Sequence, residues 1–257
     1  FASLDDGTKI VNVELMGPER THQFVFSVPV PGIAVDYERR PFADRNPPES
    51  LEDCDEETLR KRLGAAPRAT KNRHRAREGD PANLVVIGAF ATLLAAFGAR
   101  WDETETISLE TSWKTAKAFF FGSRYRYSPV SPLYLFGRPQ DFALQRARHT
   151  INERLHLRLW MTAMRFEGKP VWLGQISRDI GVRFTPRTWN LTTHRIDPAV
   201  DEARDYVLAD LLDSGHVDRM GYVEGVGAAT ASAPRRNLTG DPYETDGNRA
   251  VIMLSPT

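Results

Sequence analysis

The sequence predicts an α/β or α+β fold: a mixed β-sheet with helices packed against it and a β-rich region at the N-terminus. Three observations carry that reading. Strand-like segments, rich in β-branched and aromatic residues, recur from the N-terminus to the C-terminus. One continuous apolar run, residues 84–88, is followed at once by helix formers. A second helical stripe, after Asp197, carries both a start and a stop signal. With 257 residues, 41% of them hydrophobic, the chain is long enough for one large domain or two small ones and can bury a core.

The elements follow in order. Residues 1–42 read as strands: Lys9-Ile10-Val11-Asn12-Val13-Glu14-Leu15 alternates in polarity, Gln23-Phe24-Val25-Phe26-Ser27-Val28 is β-branched and aromatic, and Pro29, Pro31 and Gly32 end the run. Residues 43–82 hold little apolar material, with a short helix expected over 56–63 and a basic run, residues 71–77, expected to be a solvated loop. This places a β-rich region and charged linker at 1–80 and the main domain at 81–257. Leu84-Val85-Val86-Ile87 suits a strand buried on both faces, and Gly88 marks a tight turn into a helix over 89–97. A single glycine there lacks the spacing that cradles phosphate. Residues 113–136 are aromatic-rich, with Trp113, Tyr125 and Tyr127 among cations such as Lys114 and Arg124, and read first as core and second as a docking surface. Residues 155–165 and 171–183 form a β-hairpin around Glu167-Gly168-Lys169-Pro170. Asp197 and Pro198 are expected as N-cap and first residue of a helix whose apolar stripe is Val200, Ala203, Val207, Leu208, Leu211 and Leu212, with Gly215 as its stop. Strands near 219–226 and 250–254 close the chain.

Bulk chemistry narrows the function. Lys+Arg and Asp+Glu both number 34, so the basic excess that nucleic-acid binding draws on is missing. The lone Cys54 excludes an internal disulfide or a cysteine-based zinc site, and its acidic neighbours argue against a reactive thiolate. The apolar stretch 84–99 falls short of the ~20 residues of a membrane-spanning helix. The start at Phe1 leaves room for a leader or anchor removed before it.

The hairpin carries the first candidate chemistry. His156, Arg158, Trp160 and Thr162 share one face, and Leu157, Leu159, Met161 and Ala163 share the other, which should meet the core. A two-residue turn sets His156 opposite Asp179, and a four-residue turn sets Arg158 there. Either places His156, Arg158 and Asp179 on one face, whereas a one-residue slip would separate them. Arginine binds carboxylate or phosphate through two parallel hydrogen bonds, and an Asp-oriented His moves protons. A cross-strand salt bridge on a solvated face explains the same residues without a ligand. A second cluster, His194-Arg195-Ile196-Asp197, precedes a helix N-terminus, where anions are favoured. Its Asp197 also has the plain duty of a cap. No H-E-x-x-H pattern supports a metal, no G-x-S-x-G elbow is present, and no cofactor is expected. Ser131 is a weak nucleophile candidate, and Asn190 and Asn237 open glycosylation sequons.

Four motifs in order resemble the LssY C-terminal domain family of bacterial envelope proteins. They are Ser131-Pro132-Leu133-Tyr134-Leu135-Phe136-Gly137-Arg138-Pro139-Gln140-Asp141; His156-Leu157-Arg158-Leu159-Trp160; Val171-Trp172-Leu173-Gly174 with Arg178-Asp179-Ile180-Gly181; and Thr193-His194-Arg195-Ile196-Asp197-Pro198 with Asp201 and Arg204-Asp205-Tyr206. The resemblance covers about 83–254. It implies an α/β appendage in an envelope setting, near lipid phosphates, fused in relatives to DedA-like membrane segments or PAP2-type phosphatases, or standing alone. This chain has no PAP2-type motif, so that activity is not implied. The family's recurrent charged positions fall here on Arg138, Asp141, His156, Arg158, Asp179, His194, Arg195 and Asp197.

The expectation is an envelope domain, periplasmic or anchored through a segment outside this sequence. Its pocket would take an anionic small molecule or a lipid phosphate head group, with Arg158, Arg195, Arg138, Asp141 and Asp197 binding. One alternative is a phosphoester hydrolase using His156, His194 and Asp179. Another is a structural domain docking to an envelope protein.

Overall fold

The computed structural model describes residues 7–16, 21–30, 50–74, 77–98, 101–103, 132–147, 154–184 and 192–255. The chain divides into two compact units, Phe1–Pro41 and Phe42–Thr257. In the first, β1 (Gly7–Met16) and β2 (Thr21–Val30) form an antiparallel ribbon with Val11 opposite Phe26 and Val13 opposite Phe24. Residues 50–80 supply β3 (Glu52–Cys54), α1 (Glu56–Ala65), β4 (Ala69–Lys71) and β5 (Glu78–Pro81), and these belong to the second unit because β3 adds a parallel strand to its sheet.

The second unit is α+β. Its frame is a hairpin of two long strands, β11 (Arg154–Phe166) and β12 (Lys169–Phe184). Each has two partners in succession on its outer edge. Along β11 these are β10 (Phe142–Ala147) and then β3. Along β12 they are β6 (Leu84–Ile87) and then β13 (Thr192–Ile196). Beyond β10 lies β7 (Asp102–Glu103). Beyond β6 lie β17 (Asn248–Leu254), parallel to it, and β14 (Val217–Glu224). Among the described residues this makes a curled mixed sheet of nine strands. A smaller sheet joins β5 and β4 to β8 (Tyr134–Leu135) and β9 (Arg138–Pro139), and β15 (Arg235–Arg236) pairs with β16 (Pro242–Tyr243).

Both faces of the large sheet are covered. On one, α2 (Phe90–Gly98) and α3 (Val200–Asp213) seat Leu93, Phe97, Val207 and Leu211 against Leu84, Val86, Leu157, Leu159, Trp172 and Ile252. On the other, Leu59 and Leu63 of α1 meet Val85, Ile87, Trp160, Val171, Leu173 and Met253. The run 84–87 is therefore apolar throughout because both of its faces are buried, as the sequence predicts. Asn83, fully buried, ties the start of β6 to its neighbours: its amide oxygen accepts from Ile176 N–H (3.1 Å), and its amide nitrogen reaches the carbonyls of Ile176 and Val200.

Three expectations need correction. The hairpin turn is the two-residue version, Glu167 and Gly168 at φ 49° and 73°, as a type I′ turn requires, and Phe166 pairs with Lys169. The register does not run on from it unbroken. Between Met161↔Trp172 and Arg165↔Pro170, three residues of β11 face one of β12. Pro170 has no N–H for a regular ladder, and the Thr162 hydroxyl fills in, donating to Val171 O (2.7 Å) and accepting from Met164 N–H (3.2 Å). This bulge turns Ala163 to solvent and slides the register by two, an even number that preserves the faces. Second, α3 starts at Val200 with Ala199 as N-cap, so Asp197 does not cap it and Pro198 is not its first residue. Third, Leu212 at the edge of the α3 stripe is 48% exposed.

Candidate functional site

The face of the sheet that carries Trp160 and Leu173 changes character along its length. Under α1 it is apolar. Two residues further along β11 and β12 it becomes a buried polar layer: Arg154, His156 and Arg158 from one strand, Gln175, Ser177 and Asp179 from the other. The slipped register sets His156 opposite Ser177, Arg158 opposite Gln175 and Arg154 opposite Asp179. Neither turn expected from the sequence gives these pairs, but the shared face survives.

Within the layer the Asp179 carboxylate turns away from its register partner and takes a 2.8 Å hydrogen bond from His156 Nε2. A carboxylate can only accept, so Nε2 carries the proton and Asp179 fixes the tautomer. The other ring nitrogen, Nδ1, is buried and has no hydrogen-bond partner among the described residues. Arg154 is 6% exposed, and its buried Nε has no hydrogen-bond partner among those residues. Burial pushes its pKa down, and the charge of Asp179 opposes that only from a distance.

Arg158 is more securely held. Its Nη1 donates to Gln175 Oε1 (2.7 Å), and Gln175 Nε2 donates to Ser177 Oγ (2.9 Å) and approaches Asp80 Oδ2. Asp80, on β5, also accepts from Asn237 Nδ2 (3.0 Å). Burial raises its pKa despite the Asn237 bond and the Arg158 charge, with Asp179 and Asp241 pushing the same way as burial. Asn237 in turn accepts from the N–H groups of Thr239 and Asp241, which makes its side chain an internal brace and not a glycan acceptor.

The remaining candidates stand elsewhere. Arg138 donates to Asp141 Oδ2 and to Met161 O, and Asp141 Oδ2 accepts from Met161 N–H (2.8 Å). The pair thus clamps the chain between β9 and β10 to β11 where the bulge begins. Asp197 pairs with Arg178, which also binds Glu202 of α3, while Asp197 Oδ1 accepts from Ala199 N–H (3.0 Å). Arg178 is the neighbour of Asp179 and leaves the strand on the opposite face, so Asp197 and Asp179 do not meet. Arg195 is exposed opposite Gly181. His194 sits opposite Val182 in β13, and its side chain lies outside the described residues. Also outside them are Ser131, Asn190 and the aromatic segment from Trp113 to Tyr127. The Cys54 thiol is buried, and burial, with Glu52, Asp55 and Asp53 adding, raises its pKa.

Sequence reasoning missed Arg154 and Asp80. Arg154 lies one residue before the expected hairpin, on the face shared by His156, so the period-two rule finds it once the strand is extended. Asp80 lies on a separate four-residue strand with no pattern of its own.

Among the described residues no group of three or more His, Cys, Asp or Glu side chains could hold a metal ion, and no helix is long and apolar enough to cross a membrane. No curated protein and no solved structure matches the chain. A family model described as LssY C-terminus matches residues 63–248, a span that contains Asp80, both strands of the hairpin and the whole polar layer, and by that match the chain belongs to the LssY C-terminal family.

Proposed function

We propose that the chain is a binding or accessory module of the bacterial envelope. Its ligand brings an anionic group, phosphate or lipid phosphate, to Arg154 beside His156. The observation that carries this reading is the state of Arg154: a guanidinium nearly out of water, facing a carboxylate that is committed to His156 instead. Desolvating a charge costs several kcal/mol, roughly, unless a partner offsets it, and an anion would be that partner. Arg158 supports the layer from within, held by Gln175. The envelope setting rests on the family resemblance.

Titration calorimetry with inorganic phosphate, and sedimentation with phosphatidic acid vesicles, tests the reading. Binding by the unaltered protein that is lost in Arg154→Met supports it. No binding of either probe, or equal binding by Arg154→Met, overturns it.

The His156–Asp179 pair favours a second reading. An imidazole whose tautomer is fixed by a carboxylate, with its far nitrogen unbonded, is an arrangement that activates water. In that reading the protein hydrolyses phosphoesters, with His156 as general base. Release of p-nitrophenol from p-nitrophenyl phosphate, abolished by His156→Gln, would support it, and a rate equal to buffer across a phosphoester panel would remove it.

A further inference from the structure

The tautomer of His156 restricts the ligand further. Asp179 accepts the Nε2 proton, so in the neutral imidazole Nδ1 presents a lone pair. That atom is buried and has no partner among the described residues. An anionic oxygen placed against it would meet lone pair with lone pair. What it accepts is a donor. The charged groups facing the ring are Asp179, which holds it, Arg154 on the same strand face, and Arg158 and Asp80 further along the layer.

Arg154 stands two residues from His156, roughly 6.5–7 Å along the same face of β11. Arg154 offers only donors and suits an anionic group, while His156 Nδ1 offers only an acceptor and suits a hydroxyl. Resting on the anion reading above, we propose that the ligand is a hydroxylated anion of the polyol phosphate class. Its phosphate engages Arg154, and a neighbouring hydroxyl donates to His156 Nδ1. Such a group occurs free, as in glycerol 3-phosphate, or on a membrane, as the head group of phosphatidylglycerol.

The test compares glycerol 3-phosphate with methyl phosphate by titration calorimetry on the unaltered protein at about pH 8. That is well above the second ionisation of phosphate esters, near ~6, so both ligands are dianions and methyl phosphate has no O–H to give. Glycerol 3-phosphate should bind at least about tenfold more tightly, the worth of one hydrogen bond into a buried acceptor. His156→Phe should remove that preference while leaving methyl phosphate affinity in place, and Arg154→Met should abolish both. Phosphatidylglycerol vesicles that retain the protein in an Arg154-dependent way identify the lipid source, and failure to retain it, with glycerol 3-phosphate still bound, identifies the free one. Equal affinity for the two phosphates overturns the hydroxyl requirement and leaves the anion reading standing. Binding of neither phosphate overturns both.

Discussion

Arg249 and Arg154 are both arginines taken out of water, and the chain treats them in opposite ways. Arg249 is 0% exposed and surrounded by acceptors: its Nε donates to Ala82 O (2.9 Å), Nη1 to Leu63 O, and Nη2 to the carbonyls of Ala66, Pro67 and Gly225, each at 3.0 Å. Those of Leu63, Ala66 and Pro67 lie at the C-terminal end of α1, where helix carbonyls have no partner in the helix and the dipole favours a cation. Burial pushes the Arg249 pKa down to about 10, which leaves it charged at neutral pH. Gly225 permits the closeness, because a Cβ there would come within 2.9 Å of Nη1. Among the described residues, Arg154 has the burial without the acceptors. The contrast separates an arginine used to close the fold from one whose binding capacity the fold leaves unused.

The largest effect that tests this contrast belongs to Arg249. Arg249→Ala leaves several buried carbonyls without donors, and the expected loss is above about 3 kcal/mol in urea denaturation, since each orphaned group costs ~1–3 kcal/mol. Arg249→Lys should recover only part of it, because an ammonium has three donors and no planar fork. Full stability in the lysine variant would mean that charge alone, and not the set of five bonds, closes this corner.

The Arg138–Asp141 clamp should rank next. Asp141→Ala removes the acceptor for both Arg138 and Met161 N–H at the start of the bulge. A loss of about 2–3 kcal/mol follows from breaking a buried, charge-assisted pair. A variant as stable as the original would show that Arg138 and Asp141 are held ready for a ligand, as the family resemblance implies, and are not fastening the strand.

How far these roles were legible depends on whether local pattern or distant contact sets them. Residues 84–87 could be read because burial on two faces leaves a continuous apolar run. The common face of His156, Arg158 and Asp179 could be read because alternation along a strand is strict, and it survived a bulge only because that bulge slides the register by two. The partners within that face could not be read, since the slip depends on how Thr162 and Pro170 settle the ladder. Asp197 looked like a cap, yet Arg178, nineteen residues back, claims its carboxylate. The acceptors of Arg249 come from three distant stretches, and no spacing in the sequence links them.

The third test has the opposite sign. Arg154→Met removes a buried charge to which the described residues give no hydrogen bond, and keeps an apolar side chain of similar length. The expected result is unchanged stability or a gain of up to about 1 kcal/mol, together with loss of anion binding. A loss as large as that of Arg249→Ala would mean that Arg154 is structural after all and would erase the contrast.

The smallest effect concerns Asp80, the carboxyl that closes the layer beside Arg158. Burial holds its folded pKa above the ordinary carboxylate value, 3.8. Below that value both folded and unfolded chains carry the proton, and Asp80 brings no penalty. As pH rises, the unfolded chain ionises first and gains an advantage, so the stability contributed by this group is lost until the folded pKa is passed. The carboxylates of Asp53, Glu167 and Asp246, each paired with an arginine, do the reverse: they are held low and stabilise as pH rises. The melting curve of the whole protein mixes the two trends, and the comparison with Asp80→Asn separates them. The asparagine keeps an acceptor for Asn237 and has no proton to lose, so its melting temperature, relative to the unaltered protein, should climb between pH 4 and pH 7. A constant difference across that range would show that Asp80 ionises as readily in the fold as outside it. The polar layer would then be wet enough at that edge for its charges to need no ligand.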